Sequence, residues 1–487
     1  IEFTNRSGHP HEFNSPTYLP VSIRALSGLA ELSQDPTTRS RARAMLARLG
    51  LSAVLHLHHA SGRWAGPYGR AYQPTITTGT PPERTLLDEW IAGGMLPGWL
   101  AALWAALPAA YTVVETASRP LEMALTTTLT PAYALGVASK GLSPQSNVLM
   151  AHMTRPGQAH PGVFYTRCIV DDKWLGDSYH RTDRTRSRNL LDEGEFWGVQ
   201  AGSRALGIYT PARLGETQSI KVAWIWVRRA TVDELWVGST RVEALPYEVA
   251  PDATVVAAVG DAYVAVRPLA FTRLGSQTPL RLVERQGDLV LERYSYQGPA
   301  KTFWELNWPG PFFQGRPFSA FYVELAARSA YPDGAAFAQV VDQGEWAEAL
   351  DPGYTYAGQG ERRYRVSYRR GEDELGIEID LMQWRLLRRW REAGELGWPP
   401  LAAPFARQAR RGPLHIGGAT LEADHGPIWL AALPDADLYV AGYLGLETAQ
   451  VTLTTPHGTT HLTGMEAGVI VVQDGAVSVE APYAGEE

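Results

Sequence analysis

The sequence is poor in cysteine and in long apolar runs. Its 487 residues include one cysteine, Cys168, which excludes an internal disulfide and a cysteine metal cage. Cys168 stands in the apolar segment FYTRCIV, where a small buried residue is expected. No apolar run reaches the roughly eighteen residues that a membrane-spanning helix needs. We therefore expect no membrane span.

Positive charge is also scarce. Lys and Arg total 44 against 51 Asp and Glu, and the formal net charge is −7, which argues against a general nucleic-acid-binding protein. The lysines are confined to positions 140, 173, 221 and 301, so nearly all basic residues are arginine. Arginine binds a carboxylate through two parallel hydrogen bonds, and such a composition suits an acidic ligand.

Three common catalytic motifs are missing from the sequence. It contains no phosphate-binding glycine loop, no GxSxG nucleophile elbow and no HExxH zinc motif. Aromatic residues are plentiful, with 16 Trp and 21 Tyr. Some of these side chains can stack on sugar rings, although most tryptophan in any protein is core.

Polar and aromatic residues crowd the first quarter of the chain, which is otherwise apolar and helical. They stand in HEFNSPTY, LHLHHASGRW and GPYGRAY. They are Asn14, Ser15, Tyr18, His56, His58, His59, Trp64, Tyr68, Arg70 and Tyr72. Each cluster also has a structural interpretation: a turn and helix cap, histidines without a catalytic role, and a glycine-rich loop.

The hydrophobic periodicity predicts helices in the same region. One helix covers the spacing Ile23, Leu26, Leu29 and Ala30, and a second begins at Asp35–Pro36, a good cap pair, and continues to about His59. Further helices are predicted at 83–93 and 97–107. Residues 1–108 are therefore predicted to form a domain of helical hairpins.

From about residue 109 the apolar period changes to two, which is typical of strands. Residues 109–412 are predicted to form a large antiparallel β-sandwich, with a basic helix-like piece at QWRLLRRWREAG. Residues 413–487 are predicted to form a small C-terminal β domain. The predicted fold class is multidomain α+β.

The residue types before position 75 suit the cleavage of a uronate polymer by β-elimination. That reaction needs a group that neutralises the sugar carboxylate, a base for the C5 proton and an acid for the leaving oxygen. In these residues the chain resembles polysaccharide lyases built from an α/α toroid and a β-sandwich, of the heparinase II/III and chondroitin AC lyase type. The resemblance implies that Asn14 meets the carboxylate, His58 or His59 is the base, Tyr68 is base or acid, and Arg70 positions the sugar. The helical part would be a partial toroid.

A second set of residues is predicted to bind the acidic polysaccharide or oligosaccharide. Two of its segments, SPQSNVLMAHM and DDKWLGDSYHRTDRTRSRN, combine amides, histidines and a local excess of arginine. The predicted substrate-binding residues are Tyr18, Trp64, Tyr72, Gln145, Asn147, His152, His180, Arg181, Arg184, Trp197 and Gln200. We expect a secreted or periplasmic protein, and the sequence as given carries no signal segment.

Two other classes of function fit the same sequence. A glycoside hydrolase needs a carboxylate pair, for which Asp88 with Glu89, Asp171 with Asp172, or Glu12 with Asp88 are the candidates. A non-catalytic carbohydrate-binding protein would use the β-rich region and leave the histidines unexplained. No metal site is predicted and the elimination requires no cofactor, although a structural calcium or zinc ion is compatible with the sequence. Nothing in the sequence sets an oligomeric state.

Overall fold

The computed structural model describes residues 12–72, 76, 82–141, 146–158, 161–171, 192, 194–212, 215–275, 278–302, 305–306, 314–351, 360–392 and 394–480. The helices are α1 (Leu19–Leu32), α2 (Pro36–Leu55), α3 (Pro82–Ala92), α4 (Trp99–Ala106) and α5 (Gly334–Asp342). Short 3₁₀ turns lie at Arg229–Thr231, Arg328–Ala330 and Pro434–Ala436. Gln145, His180, Arg181 and Arg184, and the hydrolase candidate Asp172, lie outside the described residues.

The strands are numbered along the chain. The first half of the chain contains β1 (Leu57–His58), β2 (Arg63–Trp64), β3 (Tyr111–Ser118), β4 (Met123–Leu129), β5 (Tyr133–Ala138), β6 (Leu149–Met153), β7 (Gly162–Val170), β8 (Gly194–Ala201), β9 (Arg204–Pro211), β10 (Thr217–Trp226), β11 (Glu234–Val237), β12 (Thr240–Arg241) and β13 (Tyr247–Glu248).

The second half of the chain continues the numbering. It contains β14 (Val255–Val259), β15 (Ala262–Phe271), β16 (Arg281–Arg285), β17 (Asp288–Lys301), β18 (Ser319–Ala327), β19 (Glu345–Leu350), β20 (Arg363–Arg370), β21 (Asp373–Asp380), β22 (Arg385–Arg391), β23 (Gly394–Glu395), β24 (Leu401–Ala403), β25 (Ala406–Ala409), β26 (Leu414–Ile416), β27 (Ala419–Ala423), β28 (Ile428–Leu433), β29 (Leu438–Tyr443), β30 (Ala449–Thr455), β31 (Gly458–Met465), β32 (Gly468–Gln473) and β33 (Ala476–Glu480).

These elements confirm a β-rich α+β fold whose large sheets are antiparallel. The chain divides into two compact units. Unit 1 consists of Ile1–Ala65, Pro81–Thr130 and Trp398–Glu487, and unit 2 consists of Gly66–Thr80 and Pro131–Gly397. The predicted domain boundaries at 108 and 412 stay a prediction.

Unit 1 packs helices α1 to α4 with two larger sheets, besides the hairpin β1–β2. Its longer sheet has the strand order β4-β3-β24-β25-β28-β29-β32-β33, and the shorter one β26-β27-β30-β31. Apolar side chains from both sheets, such as Leu421, Leu430 and Leu453, form one buried core cluster. The long helix α2 begins as predicted, because the carboxylate of Asp35 accepts a hydrogen bond from the Thr38 N–H at 2.9 Å.

Helix α2 ends four residues before the predicted end, which corrects the prediction that it runs to about His59. The chain leaves the helix after Leu55, and Leu57–His58 pairs with Arg63–Trp64 as the hairpin β1–β2. Gly62 takes a left-handed conformation with φ 64° in the turn of this hairpin. The apolar period continues past Leu55, but the hydrogen bonds of a hairpin replace those of a helix.

The described part of unit 2 contains three sheets. The first has the order β13-β16-β17-β10-β7-β6-β5, the second β12-β11-β14-β15-β18-β9-β8, and the third β19-β20-β21-β22-β23. Aromatic side chains join the first two sheets, as where Trp224 meets Phe321 edge-on with ring centroids 5.4 Å apart. The sheet that runs from β13 to β5 is called the first sheet.

Candidate functional site

The first sheet of unit 2 has one face with an unusual share of polar side chains. Directly opposed residues of antiparallel strands share a face, and the register opposes Met150 to Tyr165 and Arg167 to Ala223. The other face carries Trp224 and the aromatic core. The face that carries Arg167 is called the polar face; its polar members are His152, Tyr165, Arg167, Lys221, Arg281, Arg285, Asp288, Glu292 and Tyr294.

The segment 66–72 lies on the β5–β6 end of this sheet. The N–H of Tyr68 donates to the carbonyl of Asn147 at 3.1 Å, and the N–H of Asn147 donates back to Tyr68 at 2.9 Å. The hydroxyl of Ser146 donates to the Gly69 carbonyl at 3.0 Å. Gly66 sits so close to Gly136 that a Cβ on Gly136 would lie 1.7 Å from the Gly66 oxygen. Two glycines therefore permit the backbone of this segment to approach the sheet.

This placement brings Tyr68 next to His152. Their ring centroids lie 6.4 Å apart, with the ring planes inclined by 53°. Tyr68 is 1% exposed and His152 is completely buried. Phenol and imidazole are the two side chains that most readily move a proton in a site without a free carboxylate. Tyr68, Asn147 and His152 were predicted from separate stretches of sequence, and the fold brings them together.

Arg167 also reaches this group, and the sequence analysis did not single it out. Its Nη2 donates to the Asn147 side-chain oxygen, and its Nη1 donates to the Thr166 carbonyl at 2.7 Å. The guanidinium lies 4.7 Å from the centroid of the Tyr165 ring. An arginine at an inward position of an apolar strand is the signal that could have identified it, because a buried guanidinium needs acceptors.

Asp192 is a buried carboxyl group that interacts with the charge of Arg167 and with the backbone of the next residue, Cys168. It accepts hydrogen bonds from the hydroxyl of Tyr209 at 2.6 Å and from the N–H groups of Cys168 at 3.0 Å and Gly194 at 3.2 Å. Burial raises the pKa of Asp192 to about 6, against the opposing charge of Arg167. Tyr209 and Asp192 thereby fix the strand on which Arg167 stands.

The far end of the polar face is an ion-pair network around Glu292. Lys221 lies 3.0 Å from this carboxylate, Arg281 2.8 Å and Arg285 2.7 Å. Burial acts to raise the pKa of Glu292, but the hydrogen bonds and charges of Arg285 and Lys221 bring it below its ordinary value. Glu292 is therefore ionised and fully engaged at neutral pH.

Asn14 and Ser15, in unit 1, hold a turn. Asn14 has φ 47°, a left-handed conformation that asparagine tolerates, and its side-chain amide donates to the Ala65 carbonyl. The Ser15 hydroxyl accepts from the N–H of Tyr18 at 3.0 Å. Asn14 is 2% exposed, and the half-buried Tyr18 precedes helix α1 directly. The side-chain bonds of Asn14 and Ser15 account for the local conformation.

His58 has both ring nitrogens engaged. Its Nε2 donates to the Thr130 carbonyl at 2.7 Å, so the neutral ring accepts from Ser61 at Nδ1, at 2.8 Å. Burial lowers the pKa of His58 to about 4. His59, by contrast, is exposed. Its ring stacks on that of Trp104 with the centroids 3.7 Å apart, and its Nε2 donates to the Trp104 carbonyl at 3.1 Å.

The third histidine of this group, His56, belongs to a buried network. Its Nε2 lies 3.0 Å from the carboxylate of Glu115 on β3. Arg48 pairs with Glu115 at 2.8 Å, and the Ser52 hydroxyl donates to it at 2.6 Å. Arg48 also donates to Gln408 on β25 at 2.6 Å. These bonds tie helix α2 to the longer sheet of unit 1.

The remaining predicted ligand-binding residues lie in several environments. Trp64 is buried and donates to Ala53, while Arg70 and Tyr72 are half-buried in the segment 66–72. Trp197 is buried and donates to the Trp384 carbonyl at 3.2 Å, and Gln200 donates to Leu135 at 3.0 Å. The indole N–H of each tryptophan and the amide N–H₂ of Gln200 are thus bonded within their own units.

Of the predicted hydrolase carboxylates in unit 1, Asp88 has a described ion-pair partner that is basic. Asp88 is exposed and bound to Arg84 one helical turn away, at 2.7 Å. A carboxyl group that the sequence analysis missed is Glu83, which is buried 3.9 Å from Arg63. Burial raises the pKa of Glu83 to about 7. No group of three potential metal ligands occurs among the described residues.

No helix in the described part of the chain is long and apolar enough to cross a membrane. No protein-family model matches the chain, and no curated protein matches it.

Proposed function

We propose that this protein is a polysaccharide lyase that cleaves a uronate-containing acidic polysaccharide by β-elimination. A base removes the C5 proton, and the electrons of the broken C5–H bond form the C4–C5 double bond. The C4–O bond breaks with its electrons leaving on oxygen, and this oxygen then takes a proton. No water is consumed. The observation that carries the proposal is the pair of proton-carrying side chains, Tyr68 and His152, on a polar sheet face that also presents Arg167.

In this proposal Tyr68 and His152 perform the proton transfers. Their ring centroids are 6.4 Å apart, so one bound sugar can meet both side chains. Both are buried, and the proposal therefore includes a movement that admits the polymer. The roles predicted for Asn14, His58, His59 and Arg70 stay predictions, as do a partial helical toroid and a secreted or periplasmic location.

The carboxylates around the polar face favour a lyase over a hydrolase. A hydrolase needs one carboxyl group to protonate the leaving oxygen and a second to attack or to activate water. Glu292 is already bound by three cations, and the oxygens of Asp192 accept three hydrogen bonds. Both groups therefore already have several hydrogen-bonding or charged partners inside the protein.

The decisive experiment replaces Tyr68 by Phe. Wild-type protein is incubated with alginate, glucuronan, hyaluronan, chondroitin, heparin and pectate, and elimination is followed by the ultraviolet absorbance of the unsaturated product. We expect a rise with at least one polymer and a fall in kcat of about 10²–10⁴-fold in Tyr68→Phe, because the reaction loses a proton carrier. Tyr443→Phe is the matched control, since Tyr443 is a buried tyrosine that donates to the Glu447 carbonyl in unit 1.

Three results would contradict the proposal. Fully active Tyr68→Phe protein would remove Tyr68 from the chemistry. Reducing ends without ultraviolet absorbance would identify a hydrolase. Binding of a polymer without any turnover would identify a carbohydrate-binding protein.

A further inference from the structure

Arg167 is a buried cation without a hydrogen-bonded anion in the described part of unit 2. Its side chain is completely buried, and the acceptors of its two terminal nitrogens are neutral, the carbonyl of Thr166 and the side-chain oxygen of Asn147. The Nε of Arg167 has no hydrogen-bond partner there. Burying a guanidinium is strongly unfavourable unless an anion or a full set of acceptors satisfies it.

Asp192 is the nearby acid, but its oxygens are committed elsewhere. One oxygen accepts from the hydroxyl of Tyr209, and the other from the N–H groups of Cys168 and Gly194. The charge of Arg167 lowers the pKa of Asp192 against the effect of burial, but no hydrogen bond joins the two side chains among the described residues. Among the described residues, no carboxylate is hydrogen-bonded to the guanidinium edge that includes Nε.

Arg167 is tied to the proton-transfer pair through one residue. Asn147 accepts from the guanidinium with its side chain and exchanges two backbone hydrogen bonds with Tyr68. A sugar held by Arg167 would therefore lie beside the segment that presents Tyr68. The flat guanidinium fork matches the two oxygens of a carboxylate.

We propose that Arg167 binds the free carboxylate of the uronate sugar and so makes an unesterified uronate the substrate. This assignment rests on the proposed lyase function and adds its specificity-determining residue. The bound carboxylate gives the buried guanidinium a hydrogen-bonded anion, which it does not have among the described residues, and the same contact draws electrons from the C5–H bond. A methyl ester keeps the shape of the group but loses the charge and one acceptor oxygen.

The test measures binding separately from turnover. Polygalacturonate and alginate, each as the free acid and as the methyl ester, are titrated into Tyr68→Phe protein, in which slow turnover leaves them largely intact during the titration. We expect the free acid to bind about tenfold to a hundredfold more tightly than the ester, the range for a hydrogen-bonded charged group. Adding Arg167→Gln should abolish this preference. Arg281→Gln is the matched control, an arginine on the same face whose carboxylate partner is Glu292.

Asn147→Asp provides a second variant should Arg167→Gln fail to fold. It keeps the shape of the side chain and places an anion on the guanidinium, so affinity for the free acid should fall and affinity for the ester should change little. An unchanged preference for the acid in folded Arg167→Gln protein, or in Asn147→Asp protein, would overturn the assignment. Preferential binding of the acid without elimination by wild type would instead overturn the lyase proposal alone.

Discussion

His58 shows at the scale of a single residue how burial changes a titration. The neutral ring is bonded at both nitrogens, and burial holds its pKa at about 4, against an ordinary 6.5. Because the folded pKa is depressed, the unfolded chain binds the proton more readily. The contribution of His58 to stability is therefore present above pH 6.5 and is lost as the pH falls toward 4.

We predict that His58→Gln flattens this part of the stability profile. Glutamine keeps an N–H donor for the Thr130 carbonyl but does not titrate. Between pH 7 and pH 4 the wild type should lose about 3 kcal/mol more unfolding free energy than the variant, following from 1.36 kcal/mol per pKa unit. Urea unfolding at a series of pH values measures the difference. Parallel profiles for the two proteins would contradict the buried neutral state.

The residue types of the candidate site were predictable, but their partners were not. Tyr68, Asn147 and His152 stand out because each lies among other polar or aromatic residues in the sequence. Arg167 stands alone in an apolar strand, and only the register of β6, β7 and β10 places it on the face that carries His152. Residue identity suggests chemistry, whereas pairing between distant strands determines which groups meet.

At the scale of elements, the segment QWRLLRRWREAG corrects the prediction of a helix-like piece. Residues Arg385–Arg391 form strand β22, opposite β21. The indole of Trp390 lies over Gly376, where an added Cβ would approach it to 2.0 Å. The spacing of Leu386 and Trp390 fits a helix as well as a strand. The glycine under the indole, Gly376, lies on the neighbouring strand β21, so this segment's own sequence does not reveal the contact. The helices predicted near 83–93 and 97–107 are confirmed at Pro82–Ala92 and Trp99–Ala106, since local periodicity suffices there.

Gly136 offers a test of how strand β5 supports the segment 66–72. We predict that Gly136→Ala lowers stability by about 1–3 kcal/mol, the range for overpacking, and reduces elimination. The added methyl group would meet the backbone of Gly66 and Pro67, and so would push away the segment that presents Tyr68. Gly215→Ala is the control, because nothing lies within 4 Å of its added Cβ. Thermal unfolding and initial rates measure both effects, and wild-type values for Gly136→Ala would show that the approach is not close.

At the scale of the whole molecule, unit 1 is assembled from segments that lie far apart in the sequence. Strand β24 pairs with β3, and β25 pairs with β28, where Ala406 opposes Ala431. The hydrophobic period of two identifies the strands of both regions. It does not predict which strands pair, because a strand's sequence carries no signal that names its partner. A division at residue 412 would cut between β25 and the strands that complete its sheet.

We predict that protein truncated after Gly412 does not fold its first unit. Truncation removes β26 to β33 and with them the core cluster around Leu421, Leu430 and Leu453. The truncated chain should be insoluble or show no cooperative transition from unit 1 in calorimetry. The complementary piece 413–487, expressed alone, should also lack a cooperative transition. Two independently folded pieces would show instead that the predicted C-terminal domain is autonomous.

The interrupted path of unit 1 has a consequence for synthesis in the cell. The ribosome makes helices α1 to α4 and strands β3 and β4 before Pro131–Gly397, and the strands from Trp398 onward only after it. At about 5–20 residues per second, the early helices wait on the order of tens of seconds for their sheet. The side of α2 that packs against β29 and β32 is without those strands throughout that interval. The nascent chain should therefore be a client of chaperones that act at the ribosome exit, and slowing translation should lower the yield of folded protein.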